Sequence, residues 1–172
     1  LALHGEYGED GQVQSRLETL GVPYTGTNAV GSALAFDKVR SKELFQQHQI
    51  TSPRGVLIDS PTSAPPGTIP APWILKPAAQ GSSVGLNRVE GEAGWNVALA
   101  DSLRYGGAVL CEECIQGREL TVGVLDGAAL PVVEVRPKAG GYNYENKYTP
   151  GATDYFCPAD LPDEVAKRVQ AL

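Results

Sequence analysis

Lys76 closes a short apolar run, Trp73-Ile-Leu-Lys-Pro77, and a loop of small residues follows it, Ala78-Ala-Gln-Gly-Ser-Ser-Val-Gly85. A strand that delivers a lysine to the mouth of such a loop suits an anion. Gly81 and Gly85 let backbone N–H groups approach a phosphate, and Ser82 and Ser83 add hydroxyl donors. The spacing is not a Walker A loop, because no Gly-Lys-Ser/Thr follows the glycines, and it is not the dinucleotide-binding fingerprint. Taken alone, the segment fits a phosphate-covering loop or a flexible turn beside an exposed lysine.

Three carboxylates, Glu112, Glu113 and Glu119, cluster in the stretch from Val109 to Val122. Side chains of a strand alternate faces, so Glu112 and Glu113 point oppositely. One of them can then accept hydrogen bonds from an amino group or a sugar hydroxyl; solvated edge charges are the plainer alternative. Cys111 and Cys114 form C-x-x-C on the same strand and also diverge. Structural zinc wants four ligands, and Cys157, His4 and His48 lack ligand spacing, so zinc and redox roles are rejected. An odd count of three Cys fits reduced, buried or half-buried thiols.

Tyr142, Tyr144 and Tyr148 alternate with polar residues around Lys147. This is either a lid that carries Lys147 to a phosphate or an ordinary loop anchored by aromatic rings. The opening stretch Leu3–Gly11, LHGEYGEDG, holds Glu6, Glu9 and Asp10, which would repel a phosphate, and its G-x-x-G-x-x-G spacing is wrong for a dinucleotide. Glu9 and Asp10 suit a helix start. His4 is left over, at what reads as the end of a strand.

The elements that must position these groups read as follows. Leu1–Leu3 is a strand end. A helix runs from Asp10, as N-cap, to the stop at Gly21, with Val13, Leu17 and Leu20 as its apolar stripe. Further helices cover the stretches from Asn28 to Phe36 and from Asp37 to Ile50. Lys38, Arg40 and Lys42 sit near the start of the latter, against the helix dipole, which hints that one of them has another task. Strands are predicted around Val56, Trp73–Pro77, Leu86–Glu90 and Ala108–Ile115, with a helix around Trp95, Leu99 and Leu103 between the last two. The Pro-rich stretch 59–72 is the least core-like part. Asp126-Gly127 marks a hairpin, and 136–156 reads as a long polar and aromatic loop. Pro162, Asp163 and Glu164 open a last helix with Val165, Val169 and Leu172 on one face. Strands mixed with helices and hairpins argue for α/β to α+β architecture.

Composition narrows the class. The 172 residues carry 20% charged and 42% apolar residues and a net charge of −6, an ordinary globular balance. The negative balance argues against nucleic-acid or membrane-surface partners, which need a positive field. No apolar run is long enough to span a bilayer, and the cytoplasm is the expected compartment. There is no methionine. With the abrupt strand end and helix start at the two termini, this leads us to expect an internal piece of a longer protein.

In order along the chain, the motifs LHGEYGEDGQVQ, PYTGTN, DKVRSK, ILKPAAQGSSVG, CEECIQGRE, LPVVEV and YNYENKY resemble the D-alanine–D-alanine ligases of the ATP-grasp superfamily. The likeness runs over nearly the whole chain and is poorest around 60–72. It implies a partial ATP-grasp fold: residues 1–31 as the tail of a Rossmann-like N-terminal domain, 32–116 as the central subdomain, and 117–172 as the start of the C-terminal subdomain. It also implies ATP-dependent joining of two D-alanines through an acyl phosphate for peptidoglycan, with Mg (or Mn), in a homodimer.

Carried over residue by residue, the resemblance assigns Lys38 and Lys76 to the ATP phosphates. The loop Gly81, Ser82, Ser83 and Val84 covers those phosphates, with Ser82 also facing the substrate. Glu112 accepts from the adenine amino group, Glu113, Cys114 and Ile115 meet the purine through their backbone, and Glu119 takes the ribose. Lys147 reaches the terminal phosphate, Tyr148 is the lid tyrosine paired with the Ser82 loop, and His4 adjoins the first D-alanine. Cys114 stands where many members carry an aromatic residue. The family's metal-binding E-x-N-x-x-P-G segment is not in this sequence. The 172 residues by themselves are therefore expected neither to ligate D-alanine nor to bind ATP well.

Overall fold

A computed structural model describes residues 1–171, which form two compact units, Leu1–Ile115 and Gln116–Leu172. The first unit begins with three helices, α1 (Gln12–Thr19), α2 (Ala29–Phe36) and α3 (Lys38–Gln47). Asn28 caps α2 through Gly31 N–H, and Asp37 caps α3 by accepting from Val39 and Arg40 N–H. Each such cap is worth about 1 kcal/mol.

The strands β1 (Gly55–Ile58), β2 (Trp73–Pro77), β3 (Asn87–Val89) and β4 (Val109–Glu113) form one antiparallel sheet in the order β1-β4-β2-β3. A helix, α4 (Trp95–Leu103), packs on it. The register pairs Leu75 with Cys111 and Ile74 with Glu112. This puts Trp73, Leu75, Val109 and Cys111 on one face, with Trp95, Ala98 and Leu99 of α4 in the same core cluster. Burying each large apolar side chain there stabilises the fold by roughly 1.5–3 kcal/mol. The opposite face presents Lys76, Glu112, Ile74 and Leu110, so strand alternation alone decides which groups are left for chemistry.

The second unit holds β5 (Glu119–Thr121), β6 (Val124–Leu125), β7 (Ala128–Ala129), β8 (Val133–Pro137), α5 (Tyr144–Tyr148), β9 (Thr153–Phe156) and α6 (Asp163–Gln170). Its sheet runs β5-β8-β9, and β6 pairs with β7 around Asp126-Gly127. Both turn residues have positive φ, 49° and 77°, as a two-residue hairpin with right-handed twist requires. Glu134 is buried in this unit. It accepts from Arg118 Nε at 2.9 Å and Nη2 at 2.6 Å and from Arg136 Nη2 at 2.9 Å, and the Arg118 fork holds its pKa at about 2.

Several expectations need correction. Leu1–Leu3 is irregular, since none of the described strands pairs with it. Asp10 does not cap α1: Gly11 takes the N-cap position with φ 92°, and Asp10 instead accepts from Tyr7 and Gln12 N–H inside the opening loop. Leu20 is exposed, and the buried residue of α1 is Gln14, whose amide donates to Gly8 O. The Pro-rich stretch does reach the core: Ile69 is buried, and its carbonyl and that of Ser63 accept from the indoles of Trp73 and Trp95. The long loop 136–156 contains α5 and β9, and the strand expected before Asp126 is broken into β5 and β6. Pro162 takes the N-cap position of α6, and the expected contact of Leu172 lies outside the described residues.

Candidate functional site

The open face of the first unit's sheet concentrates charge. Lys76 on β2 and Glu112 on β4 meet with Nζ 2.5 Å from Oε2, and Lys42 on α3 meets the other oxygen, Oε1, at 2.7 Å. Glu112 keeps only 6% of its side chain exposed, so it is a buried carboxylate held between two ammonium groups. Gly55 on β1 makes room for it: a Cβ there would stand 2.9 Å from Glu112 Cγ. Lys42 spends its remaining donors on Ser52 Oγ at 3.3 Å and Pro53 O at 2.5 Å. With all three N–H groups engaged, Lys42 braces the site and has none left for a ligand.

Lys38 opens α3, and its backbone N–H donates to Ala78 O at 2.9 Å. Its Nζ donates to Gln80 O, at the entry to the glycine-rich loop. Burial, helped by the positive charge of Lys76, lowers its pKa to about 8. Among the described residues, Lys38 Nζ makes one hydrogen bond and Lys76 Nζ one ion pair, which leaves both with donors for an anion.

The glycine-rich loop is tightly turned. Ser82 and Ser83 both have positive φ, 52° and 60°, a conformation that costs non-glycine residues energy, and Val84 N–H donates back to Gly81 O at 3.1 Å. Gly85, at φ 67°, has no substitute: a Cβ there would lie 2.6 Å from the Tyr105 ring and 2.9 Å from Pro77. The opening loop lies against this loop. A Cβ on Gly81 would meet Glu9 Oε2 at 2.6 Å, and the same oxygen accepts from Gly5 N–H at 2.5 Å. Glu9 therefore closes its own loop beside Gly81. His4 adjoins Gly5 and comes to this edge with it.

At the end of β4, Glu113 turns away from the lysines and takes Arg54, accepting from its backbone N–H at 2.8 Å and its Nε at 2.9 Å. Cys114 N–H donates to Pro72 O at 3.0 Å, and Ile115 is exposed. Cys111 lies in the core, where burial pushes its thiol up to about 11, while Cys114 is half-buried in the linker. Among the described residues no group of three His, Cys, Asp or Glu could hold a metal ion.

The other predicted residues belong to the second unit. Glu119 is exposed and accepts from Tyr142 N–H at 3.4 Å. Lys147 Nζ lies 5.1 Å from the centre of the Tyr142 ring, and Tyr142 shares a 2.9 Å hydrogen bond with Tyr155, which raises its pKa to about 12. The rings of Tyr144 and Tyr148 are 4.8 Å apart. Sequence reading missed the work of Lys42, Arg54 and Glu9. Only Lys42 left a signal, as a cation near a helix start.

The comparisons with known proteins agree on one family. Residues 64–172 match the family model described as D-ala D-ala ligase C-terminus. A D-alanine–D-alanine ligase of Bordetella petrii is 44% identical over 178 residues, covering 100% of this chain and 55% of the relative. The crystal structure of the D-alanine–D-alanine ligase of Bacillus anthracis complexed with ATP superposes with a TM-score of 0.81 at 32% identity, over 99% of this chain and 56% of that one. The VanG D-Ala:D-Ser ligase of Enterococcus faecalis gives 0.79 at 28% identity, over 98% and 52%. The chain spans about half the length of the curated relatives it matches.

Proposed function

The chain belongs to the D-alanine–D-alanine ligase C-terminal family, and on that premise we propose that it is the nucleotide-binding part of an ATP-dependent D-alanine–D-alanine ligase. Its fold is a part of the ATP-grasp architecture. We read residues 1–31 as the end of an N-terminal domain, 32–116 as the central subdomain and 117–172 as the start of the C-terminal one. The observation that carries the reading is the pairing of two donor-bearing lysines, Lys38 and Lys76, with a glycine-rich loop on one face of the sheet.

In this reading Lys38 and Lys76 hold the ATP phosphates, and the loop Gly81 to Val84 covers them. Glu112, held between Lys42 and Lys76, accepts from the adenine amino group. The backbone from Glu113 to Ile115 meets the purine, and Glu119 takes the ribose. The terminal phosphoryl passes to the carboxylate of one D-alanine held near His4 and Ser82, leaving ADP. The amine of the second D-alanine then attacks the acyl carbon, phosphate leaves, and D-alanyl-D-alanine forms. Such transfers depend on positioning and charge neutralisation, which lysines and loop dipoles supply. Lys147 and Tyr148 close over the acyl phosphate and exclude water that would hydrolyse it. Among the described residues no group of three His, Cys, Asp or Glu could hold a metal ion; in this reading Mg (or Mn), which would neutralise phosphate charge, belongs to the family's E-x-N-x-x-P-G segment, which is not in this sequence. No helix among them is long and apolar enough to cross a membrane; we place the reaction in the cytoplasm.

The test is dipeptide and ADP formation by the full-length protein that carries this segment, given ATP with D-alanine, D-serine or D-lactate. The proposal expects D-alanine to be the preferred second substrate. Preference for D-serine or D-lactate would support a second reading, a ligase that joins D-alanine to another acceptor, for which the likeness to the VanG D-Ala:D-Ser ligase is the support. No ADP with any of the three would overturn both.

A further inference from the structure

The lid segment is held by one side chain that none of the assigned roles uses. Asn146, half-buried, makes four hydrogen bonds within the second unit. Its side-chain Nδ2 donates to Ala139 O and to Gly141 O, both at 2.7 Å. Its backbone N–H donates to Asn143 Oδ1 at 2.9 Å, and its carbonyl accepts from Thr153 Oγ1 at 2.7 Å. One residue thus ties together the entry to the lid, the cap of α5 and the first residue of β9.

A five-residue helix has no stability of its own, because nucleation costs more than so few backbone bonds return. Something else must hold α5, and the rings around it do so only in part: Tyr142 pairs with Tyr155, and Tyr144 packs on Tyr148. The Asn146 amide donates to Ala139 O and shares Gly141 O with Asn143 N–H, fastening a loop that turns at Gly140, with φ 65°. The next two residues along the helix are Lys147 and Tyr148.

We propose that Asn146 is the positioning residue of the lid, clasping the turn 139–143 to α5 so that Lys147 and Tyr148 are ordered before the nucleotide arrives. This rests on the ligase reading for its effect on the reaction, though not for the clasp. Its consequence is chemical as well as structural. An ordered lid sheds water from the acyl phosphate; a frayed one lets water take the acyl group in place of the second amine. The fault would appear as ADP released without dipeptide, while the affinity for D-alanine stays close to normal.

The experiment uses the full-length protein with Asn146→Ala, with the isosteric Asn146→Asp, which has no N–H to donate, and with Thr153→Val, which removes one bond of the four. Amide exchange of residues 145–149 and the ratio of ADP to dipeptide are read side by side. For Asn146→Ala and Asn146→Asp the expected result is exchange about tenfold faster at Lys147, Tyr148 and Thr149. Exchange in β8 should be unchanged, and the ADP-to-dipeptide ratio should rise severalfold. Thr153→Val should show a smaller change in the same direction. Unchanged exchange at those three amides overturns the clasp. Faster exchange with an unchanged ratio overturns its part in shielding the intermediate. If the unsubstituted protein makes no dipeptide, the ligase reading falls and the shielding role with it, while exchange still decides the clasp.

Discussion

The two units hold their charged groups in opposite ways. In the first, Lys76 and Glu112 stand on β2 and β4, strands fixed by ladders and a core that owe nothing to the charges, and Lys38 and Lys42 stand on α3, a ten-residue helix capped by Asp37. In the second, Lys147 and Tyr148 stand on five helical residues held by Asn146, Asn143 and a few rings. The difference suits the two tasks we propose for them. A group that grips phosphate throughout the cycle belongs on a rigid element, whereas a cover that must open for each substrate belongs on a segment whose local stability is small.

The comparison breaks first at Lys76. Lys76→Ala should lower kcat/KM of the full-length protein for ATP by about 100-fold or more, the usual cost of losing a charged partner of the reacting phosphates. Its melting temperature should shift little, because Glu112 keeps Lys42. Near-normal turnover would put the phosphates elsewhere. Lys42→Met should act more weakly and differently. It should raise KM for ATP about tenfold by leaving Glu112 held by Lys76 alone, with kcat nearly unchanged. An equal fall in kcat would mean that Lys42 touches the reacting groups.

Lys38 gives a pH signature. Its pKa is lowered from 10.5 to about 8, so burial disfavours its charged form. Below about 8 the ammonium is present in both folded and unfolded chains, and its burial costs stability. Above 10.5 it is neutral in both, and that cost is gone. Its contribution to folding thus improves as pH rises from about 8 to 10.5, while its attraction for phosphate falls over the same window. Affinity for ATP should drop as pH rises past about 8, and Lys38→Arg, which stays charged, should flatten that drop. An identical pH profile in the variant would remove Lys38 from the phosphate site. The smallest effect is expected in the lid. Tyr142→Phe keeps the ring under Lys147 and loses only the bond to Tyr155, so kcat should change less than about threefold.

The same division explains what could be read from sequence. Trp73–Pro77 and Val109–Glu113 alternate faces, so the separation of Glu112 from Glu113 follows from period two alone, and the order of motifs named the family. The partners of those residues did not follow. Lys42 reaches Glu112 across 70 positions and Arg54 reaches Glu113 across 59, contacts that only the packing of α3 and β1 against β4 creates. Glu9 and Asp10 read as helix starters because acids favour that place, yet the tight opening loop captures both. Residues 136–156 read as a loop without elements of its own because five helical residues are too few for a periodic signal, and the proposed clasp lies in one asparagine amide bonded to two carbonyls.

The most direct measurement is a crystal structure of the full-length protein with a non-hydrolysable ATP analogue. Phosphate oxygens are expected about 3 Å from the Nζ atoms of Lys38 and Lys76, with the adenine amino group on Glu112 and no contact to Lys42. Phosphates lying away from both Lys38 and Lys76, or bound directly by Lys42, would contradict this arrangement.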